Sequence, residues 1–281
     1  MKRSITVGID GSAESLDAAD WAAREALRRE LPLQLIHASE SPSRTHLAGL
    51  DVPAGRERRT LERAALGLSF GHPALRITHR YVTGPPVPAL LAAAESSETL
   101  VLGSRGFTGF AGFLVGSVAQ AVVARATGPV VLIRAGEQAE DERQGDETGP
   151  YRSVVLGIDL DHPCDELLEY ALDAATIRRA RLDVVHTWGM PPTPYGSVAD
   201  GEAENANTLA AVLAPWRSKF ADTEVRAEVV HGRAGHHLLM ASTKASLLVV
   251  GRRIPSGPHL GPVAHSLIHH SLCPVAVVPH V

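Results

Sequence analysis

Two groups of residues in this chain could handle a phosphorylated ligand. The first is the spacing Gly103-x2-Gly106-x9-Gly116-Ser117, inside the passage VLGSRGFTGFAGFLVGS at residues 101–117. That passage holds five Gly and three Phe, although the whole chain has only five Phe, so it is built for something other than general solubility. An apolar run, Thr99 to Leu102, leads into it, and an Ala/Val-rich run from Val118 leads out. Glycines remove side chains where a backbone must turn tightly or come close to a ligand. A helix opening at Gly116-Ser117 would present free N–H groups to an anion. Ser117 could cap that helix or give its hydroxyl to a phosphate oxygen. The second group is Asp10, at the end of the apolar run Ile5 to Ile9. A carboxylate is poorly placed against phosphates but well suited to accept hydrogen bonds from ribose hydroxyls. Glycines, a helix N-terminus and one acid together describe a nucleotide site.

Two common nucleotide motifs do not fit. A P-loop requires G-x-x-x-x-G-K-[ST], and no Gly-Lys pair occurs in the chain. A dinucleotide fingerprint should follow the first strand, but Gly8-Ile9-Asp10-Gly11-Ser12 lacks the G-x-G-x-x-G spacing.

The elements that must position these residues are written twice. ITVGID (5–10) returns as VVLGID (154–159), LQLIHA (33–38) as LDVVHT (182–187), TLVLGSR (99–105) within SLLVVGRR (246–253), and GPVVLIR (128–134) as CPVAVVP (273–279). A unit of about 140 residues is therefore duplicated, as expected for a repeat architecture. Between the copies runs GEQAEDERQGDETGP (136–150), polar, acidic and punctuated by Gly and Pro, which reads as a solvated linker. The expected domains are 1–137 and 150–281, with a linker at 138–149.

Within the first copy, β-branched apolar runs at about 4–10, 32–38, 74–82, 99–103 and 129–134 alternate with helical patterns. Continuous apolar strands are those buried on both faces of a parallel sheet. Ala19, Ala22, Ala23 and Ala26 form a stripe of small residues that lets a helix lie close on that sheet. Asp10-Gly11-Ser12 supplies a turn and an N-cap, and Pro85-Pro86 suit the first turn of a later helix. The expectation is an α/β chain of two tandem, doubly wound, parallel five-stranded sheets flanked by helices. Such folds bind ligands beyond the carboxyl ends of the strands, where the strand order reverses.

Composition narrows the class. The chain has 281 residues, 44% hydrophobic and 21% charged, which suits a globular core. A formal net charge of -4 argues against bulk binding to nucleic acid or an anionic membrane. Cys164 and Cys273 are too few and too far apart for a disulfide framework or a zinc site, so a reducing, cytoplasmic setting is expected. The opening residues enter a strand pattern rather than a leader, and no apolar run reaches the ~20 residues of a membrane helix.

The spacing G-x2-G-x9-G-(S/T), in a strand–loop–helix context and with the GID, IHA and GPVVLI runs around it, resembles the ATP-binding signature of the universal stress proteins. The resemblance spans both copies and is that of a tandem-domain member. It implies that Asp10 meets the ribose, with Gly8 and Ile9 beside the base, Ala38 against adenine and Leu102 closing the other side. Gly103, Arg105, Gly106, Gly116, Ser117 and Val118 fall on its phosphate loop. It implies an ATP or other adenine-nucleotide ligand, with Mg²⁺ as an accompanying ion. It also implies pairing through the last strand, Val130 to Arg134, as a homodimer or as close packing of the two domains, which would cover a sheet edge.

The second copy keeps Gly157, Asp159 and Gly251 but drifts beyond them. Ile254 replaces the second glycine, the loop from Gly251 to Gly261 is three residues shorter, and Pro262 stands where Ser117 stands. Proline offers neither an N–H nor a hydroxyl. Arg252 and Arg253 could act as phosphate ligands instead, but the lost donors point to a weakened site in a mainly structural domain.

Other features have plainer readings. His265 and His269 are four apart on a helix, but no third metal ligand is in register. His37 and His186 recur at matching positions and read as residues fixed by local hydrogen bonding. Phe107, Phe110 and Phe113 read as anchors of their loop. Trp21, Trp188 and Trp216 share no register. Phosphoryl transfer needs metal-binding carboxylates, a positioned base and a charge clamp, and no second acid is expected near the loop. The sequence thus reads as a nucleotide-dependent stress regulator or sensor. The alternatives are a weak ATPase or self-phosphorylating enzyme using Ser104, Thr108 or Ser117, and an interaction scaffold.

Overall fold

The computed structural model describes residues 4–40, 52–104, 115–146, 148–189 and 198–281, without the side chains of 52–56 and 198–200. It divides into two units, Met1–Gln138 and Ala139–Val281.

Unit 1 contains β1 (Ser4–Gly8), α1 (Ala13–Arg28), β2 (Leu33–Ser39), α2 (Val52–Gly71), β3 (Ile77–Thr83), α3 (Pro86–Ser96), β4 (Ser97–Ser104), α4 (Ser117–Val123) and β5 (Val130–Arg134). Its strands lie in the order β3-β2-β1-β4-β5. Every pairing is parallel. The order reverses between β1 and β4, which opens a crevice at their carboxyl ends. Ile5, Val7, Leu33, Leu35, Leu100 and Val101 are fully buried in the sheet. The alanine stripe works as its spacing suggests. Ala19, Ala22, Ala23 and Ala26 are buried and bring α1 against the sheet.

The apolar reading of the third strand needs correction. β3 is largely exposed, with His79 and Arg80 facing solvent, because it is the edge of the sheet and has a strand on one side only, with α2 packing against it. The first strand also ends at Gly8 rather than at Asp10. Ile9 and Asp10 already belong to the loop that crosses the crevice.

Unit 2 contains β6 (Ser153–Ile158), α5 (Asp165–Arg178), β7 (Leu182–Trp188), α6 (Val198–Lys219), β8 (Val225–His231), α7 (Ala234–Ser242), β9 (Ala245–Arg253), α8 (Pro262–His270) and β10 (Val275–His280). Its strands repeat the pattern in the order β8-β7-β6-β9-β10, again all parallel. Residues before β6 are structured too. Ala139–Glu142 form a 3-10 turn, Glu142 is buried, and Arg143 bridges Tyr151. Among the described residues, no helix is long and apolar enough to cross a membrane.

Candidate functional site

In unit 1 the carboxyl ends of β1 and β4 and the start of α4 border a cleft of about 720 Å³. The turn after β1 shapes one side of it. Gly11 adopts φ +86°, a left-handed conformation that favours glycine. The Asp10 carboxylate then folds back over the turn. It accepts hydrogen bonds from the Ser12 N–H (2.9 Å) and the Ser12 hydroxyl (2.5 Å). Ser12 in turn caps α1 by accepting from the Ser15 N–H at 3.2 Å. Partial burial pushes the Asp10 carboxyl up, but the bonds from Ser12 and Ser15 outweigh it and hold the group below its ordinary value. Asp10 is therefore an oriented anion, exposed on the cleft side.

The apolar wall comes from two strands, the loop after β1 and a helix. Ile9, Ile36, Ala38 and Leu102 line it together with Pro86 and Leu90 at the start of α3. His37, nearly buried, donates from Nδ1 to the Ile9 carbonyl at 2.6 Å and so pins the loop that carries Asp10. Its ring stacks on Tyr81 at 5.6 Å. The Tyr81 hydroxyl donates to Glu57 at 3.0 Å, which also accepts from Ser39 at 3.1 Å. His37 is thus held by its neighbours and supports the site from behind.

The far side is the start of α4. Its N-cap is Gly116, not Ser117. Among the described residues no side chain caps the helix, and Ser117 is its first residue. Of the two roles open to Ser117, capping therefore falls away, and the residue borders the cleft with the neighbouring Val118. Gly116 has an ordinary φ of -61°, and a β-carbon there would meet nothing within 4 Å. Among the described residues, neither backbone nor packing requires glycine at that position. Gly103 is different. A β-carbon there would lie 2.5 Å from the carbonyl oxygen of Glu14, so its glycine lets α1 seat against β4.

The cleft thus gathers Gly8, Ile9, Asp10, Ala38, Leu102, Gly103, Gly116, Ser117 and Val118. Arg105 and Gly106 lie outside the described residues, as do Phe107, Phe110, Phe113 and Thr108. The expectation that no second acid stands nearby is also corrected, because Glu14, in the first turn of α1, borders the cleft. Sequence reasoning missed Glu14, Ser15, Ile36, Pro86 and Leu90 as site residues. Ile36 and Leu90 carry the signal of apolar residues near strand or helix ends at the switch point. Glu14 and Ser15 carry none beyond following the cap.

Unit 2 forms its own, smaller cleft of about 410 Å³ at the ends of β6 and β9, lined by Asp159, Gly251, Arg252, Arg253 and Gly261. Ile158, Val185, Thr187 and Leu238 make its apolar wall. The Asp159 carboxylate is engaged by the Asp161 N–H (3.1 Å) and by His162 Nδ1 (3.0 Å). His186 repeats the role of His37, donating to the Ile158 carbonyl at 3.1 Å. Arg252 is buried, and that burial holds its pKa below the ordinary value. The rings of His265 and His269 lie 4.7 Å apart at a tilt of 46°, and among the described residues no group of three or more His, Cys, Asp or Glu is arranged to hold a metal ion.

Comparison with known proteins places this architecture. A universal stress protein of Mycobacterium tuberculosis is 30% identical over 294 residues, spanning 98% of this chain and 97% of that protein. A crystal structure of a universal stress protein from Archaeoglobus fulgidus superposes with a TM-score of 0.73 at 18% identity, covering 98% of both chains. A shorter universal stress protein, crystallised in complex with cAMP, is 27% identical over 48% of this chain, with a TM-score of 0.37. The family model described as the universal stress protein family matches residues 1–134 and again 150–279, and the chain belongs to that family.

Proposed function

We propose that unit 1 binds an adenine nucleotide, ATP in the first instance and with Mg²⁺ on its phosphates, and that the chain acts as a nucleotide-dependent regulator or sensor in a cytoplasmic stress response. One observation carries this reading. A single cleft joins an apolar slot, an oriented carboxylate and the Gly116-Ser117-Val118 turn, the three features that base, ribose and phosphate require. Asp10 accepts from Ser12 and, through its remaining lone pairs, can accept from ribose hydroxyls. Ile9, Ile36, Ala38 and Leu102 offer the flat apolar contact that a purine needs. The Ser117 hydroxyl and the free N–H groups at the start of α4 are donors for phosphate oxygens. The bareness of Gly116 fits the same account, since a side chain there would enter the space that a phosphate takes.

The nucleotide is read as a marker of state rather than as a substrate. The Asp10 carboxylate is committed to the turn and to ribose, which leaves it unsuited to serve as a base. The test is to purify the full chain, release small molecules by denaturation, and identify them by mass spectrometry. Calorimetric titration with ATP, AMP, cAMP and GTP should follow. Adenine nucleotides that bind in preference to GTP support the reading. No bound nucleotide, and no heat with any of the four, would overturn it.

A further inference from the structure

We propose that His37 and Glu57 form a proton-operated brace behind the unit 1 cleft, which tightens the hold on nucleotide as pH falls. This regulation rests on the reading of unit 1 as the nucleotide site. His37 sits between Ile36 and Ala38, which line the cleft. Side chains alternate along a strand, so its ring lies on the opposite face of the sheet, where it is 7% exposed. Its bond to the Ile9 carbonyl requires a proton on Nδ1. In the neutral ring Nε2 is then a bare acceptor, and it has no hydrogen-bond partner. What faces it is another acceptor, the Glu57 carboxylate, with Oε2 at 3.7 Å. A buried nitrogen left in that state is costly. A second proton removes the cost, because Nε2–H can donate to Glu57 in a charge-assisted bond.

Glu57 is oriented for that bond. Its Oε1 accepts from Ser39 at 3.1 Å and its Oε2 from Tyr81 at 3.0 Å, which leaves Oε2 a second lone pair for the imidazolium. The other charged groups on the surrounding elements have other places. On α2, Arg58 lies over the Tyr81 ring at 5.5 Å. On β3, His79 is exposed. On α1, Glu14 borders the cleft, Asp17 accepts from the Gly136 N–H, Asp20 pairs with Arg24 and His72, and Glu25 pairs with Arg28 and Arg29. In the loop after β1, Asp10 is bound by Ser12. Among the described residues Glu57 is thus the one carboxylate that pairs with the His37 ring.

Unit 2 repeats the brace without its charge. His186 Nδ1 donates to the Ile158 carbonyl, and its Nε2 lies 3.1 Å from Oδ1 of Asn205. By repeat register Asn205 stands where Glu57 stands, and Val229 where Tyr81 stands. An amide can turn either a donor or an acceptor to a ring nitrogen, so His186 is satisfied with no charge beside it. Only unit 1 joins proton uptake to an ion pair. The charged ring is a stronger donor to the Ile9 carbonyl and holds the Asp10 loop more firmly. It also offsets the Glu57 charge behind a cleft that takes an anion. Both effects favour bound nucleotide, and by linkage bound nucleotide favours the proton.

The test uses the full chain, with NMR and calorimetric titration at about pH 7.5 and about pH 5.5, either side of the imidazole range. Without ligand, acidification should shift the His37 ring and, with it, the amides of Asp10 and Gly11. His37→Asn keeps a donor for the Ile9 carbonyl but takes up no proton, and should leave those amides unmoved. Relative to His37→Asn, the parent should gain about fivefold in ATP affinity at the lower pH. Comparison at each pH cancels the titration of the phosphates themselves. Glu57→Gln, which keeps an acceptor oxygen, should lose most of that gain. The brace is overturned if the two amides follow pH in His37→Asn as in the parent, or if all three proteins share one pH dependence of ATP affinity. Absence of ATP binding at both pH values, with the amide response intact, would overturn the reading of unit 1 instead.

Discussion

The two clefts sit at the same point of the same fold, and each has a glycine near the end of its fourth strand, Gly103 on β4 and Gly251 on β9. What surrounds that glycine differs. Gly103 is pressed by main chain, the Glu14 carbonyl at the start of α1, whereas Gly251 is met by side chains, His280 and Leu167. The turn before the first helix differs in the same way. In unit 1, Ser12 ties Asp10 to the helix and caps it. In unit 2, Asp159 pairs with His162, and the N-cap, Cys164, makes no side-chain bond. Duplication has preserved the positions of the acid and the glycine while the groups that give them a task have changed. Repetition of a motif residue is therefore weaker testimony about a site than the atoms packed around it.

The contrast between the glycines should show as the largest effect. Gly103→Ala forces a β-carbon against main chain that cannot rotate away, and should cost about 2–3 kcal/mol of stability. Gly251→Ala meets side chains only, Leu167 and the His280 ring that its bond to the Pro163 carbonyl holds in place, and should cost about 1–2 kcal/mol. Urea unfolding midpoints measure both. Equal losses would mean that the two glycines do the same packing work.

A smaller effect is expected at the cap. Ser12→Ala removes the N-cap of α1, worth about 1 kcal/mol, and takes from Asp10 the hydroxyl bond of Ser12 while leaving the one from its backbone N–H. The folded Asp10 carboxyl lies below its unfolded value of 3.8, so its stabilising contribution is full above that pH and is lost as pH falls through the folded value. The difference between parent and variant should therefore be greatest near neutrality and narrow in acid. The Asp10 carboxyl carbon, followed by NMR titration, should move toward the ordinary carboxylate range in Ser12→Ala. An unmoved titration would assign the depression to some other group.

The mildest test concerns the other cap. Burial, with the charges of Asp165, Glu166 and Asp159, pushes the Cys164 thiol up to about 11. A helix N-terminus ordinarily activates a cysteine, so this one runs against the local dipole. Maleimide labelling of Cys164 at neutral pH should be about 100-fold slower than that of an unfolded control, following the thiolate fraction. Rapid labelling would show that the start of α5 attracts negative charge after all.

Much of this was legible in the sequence where spacing alone carries the information. The alanine stripe needs only helical periodicity to declare its buried face, and the repeated GID and PV runs declare two parallel sheets. β3 was misread because an edge strand does not need the apolar residues that its neighbours need. The role of Gly103 was only half visible, since the approach of α1 is a tertiary event that no local pattern records. His280 was invisible for the same reason. It ends an ordinary apolar strand, and its neighbours, Pro163 and Gly251, are distant in the chain.

The central claim is that unit 1, and not unit 2, holds the adenine nucleotide. Calorimetric titration of the full chain with ATP tests it most directly, comparing the parent with Gly116→Val and Gly261→Val. Both glycines have ordinary φ values near -60° and open space around a β-carbon, so neither change should disturb the fold. The account predicts one ATP per chain, with affinity lowered at least about tenfold by Gly116→Val, a loss of about 1.4 kcal/mol, and unchanged by Gly261→Val. Two equivalent sites, or a loss caused by Gly261→Val instead, would contradict it.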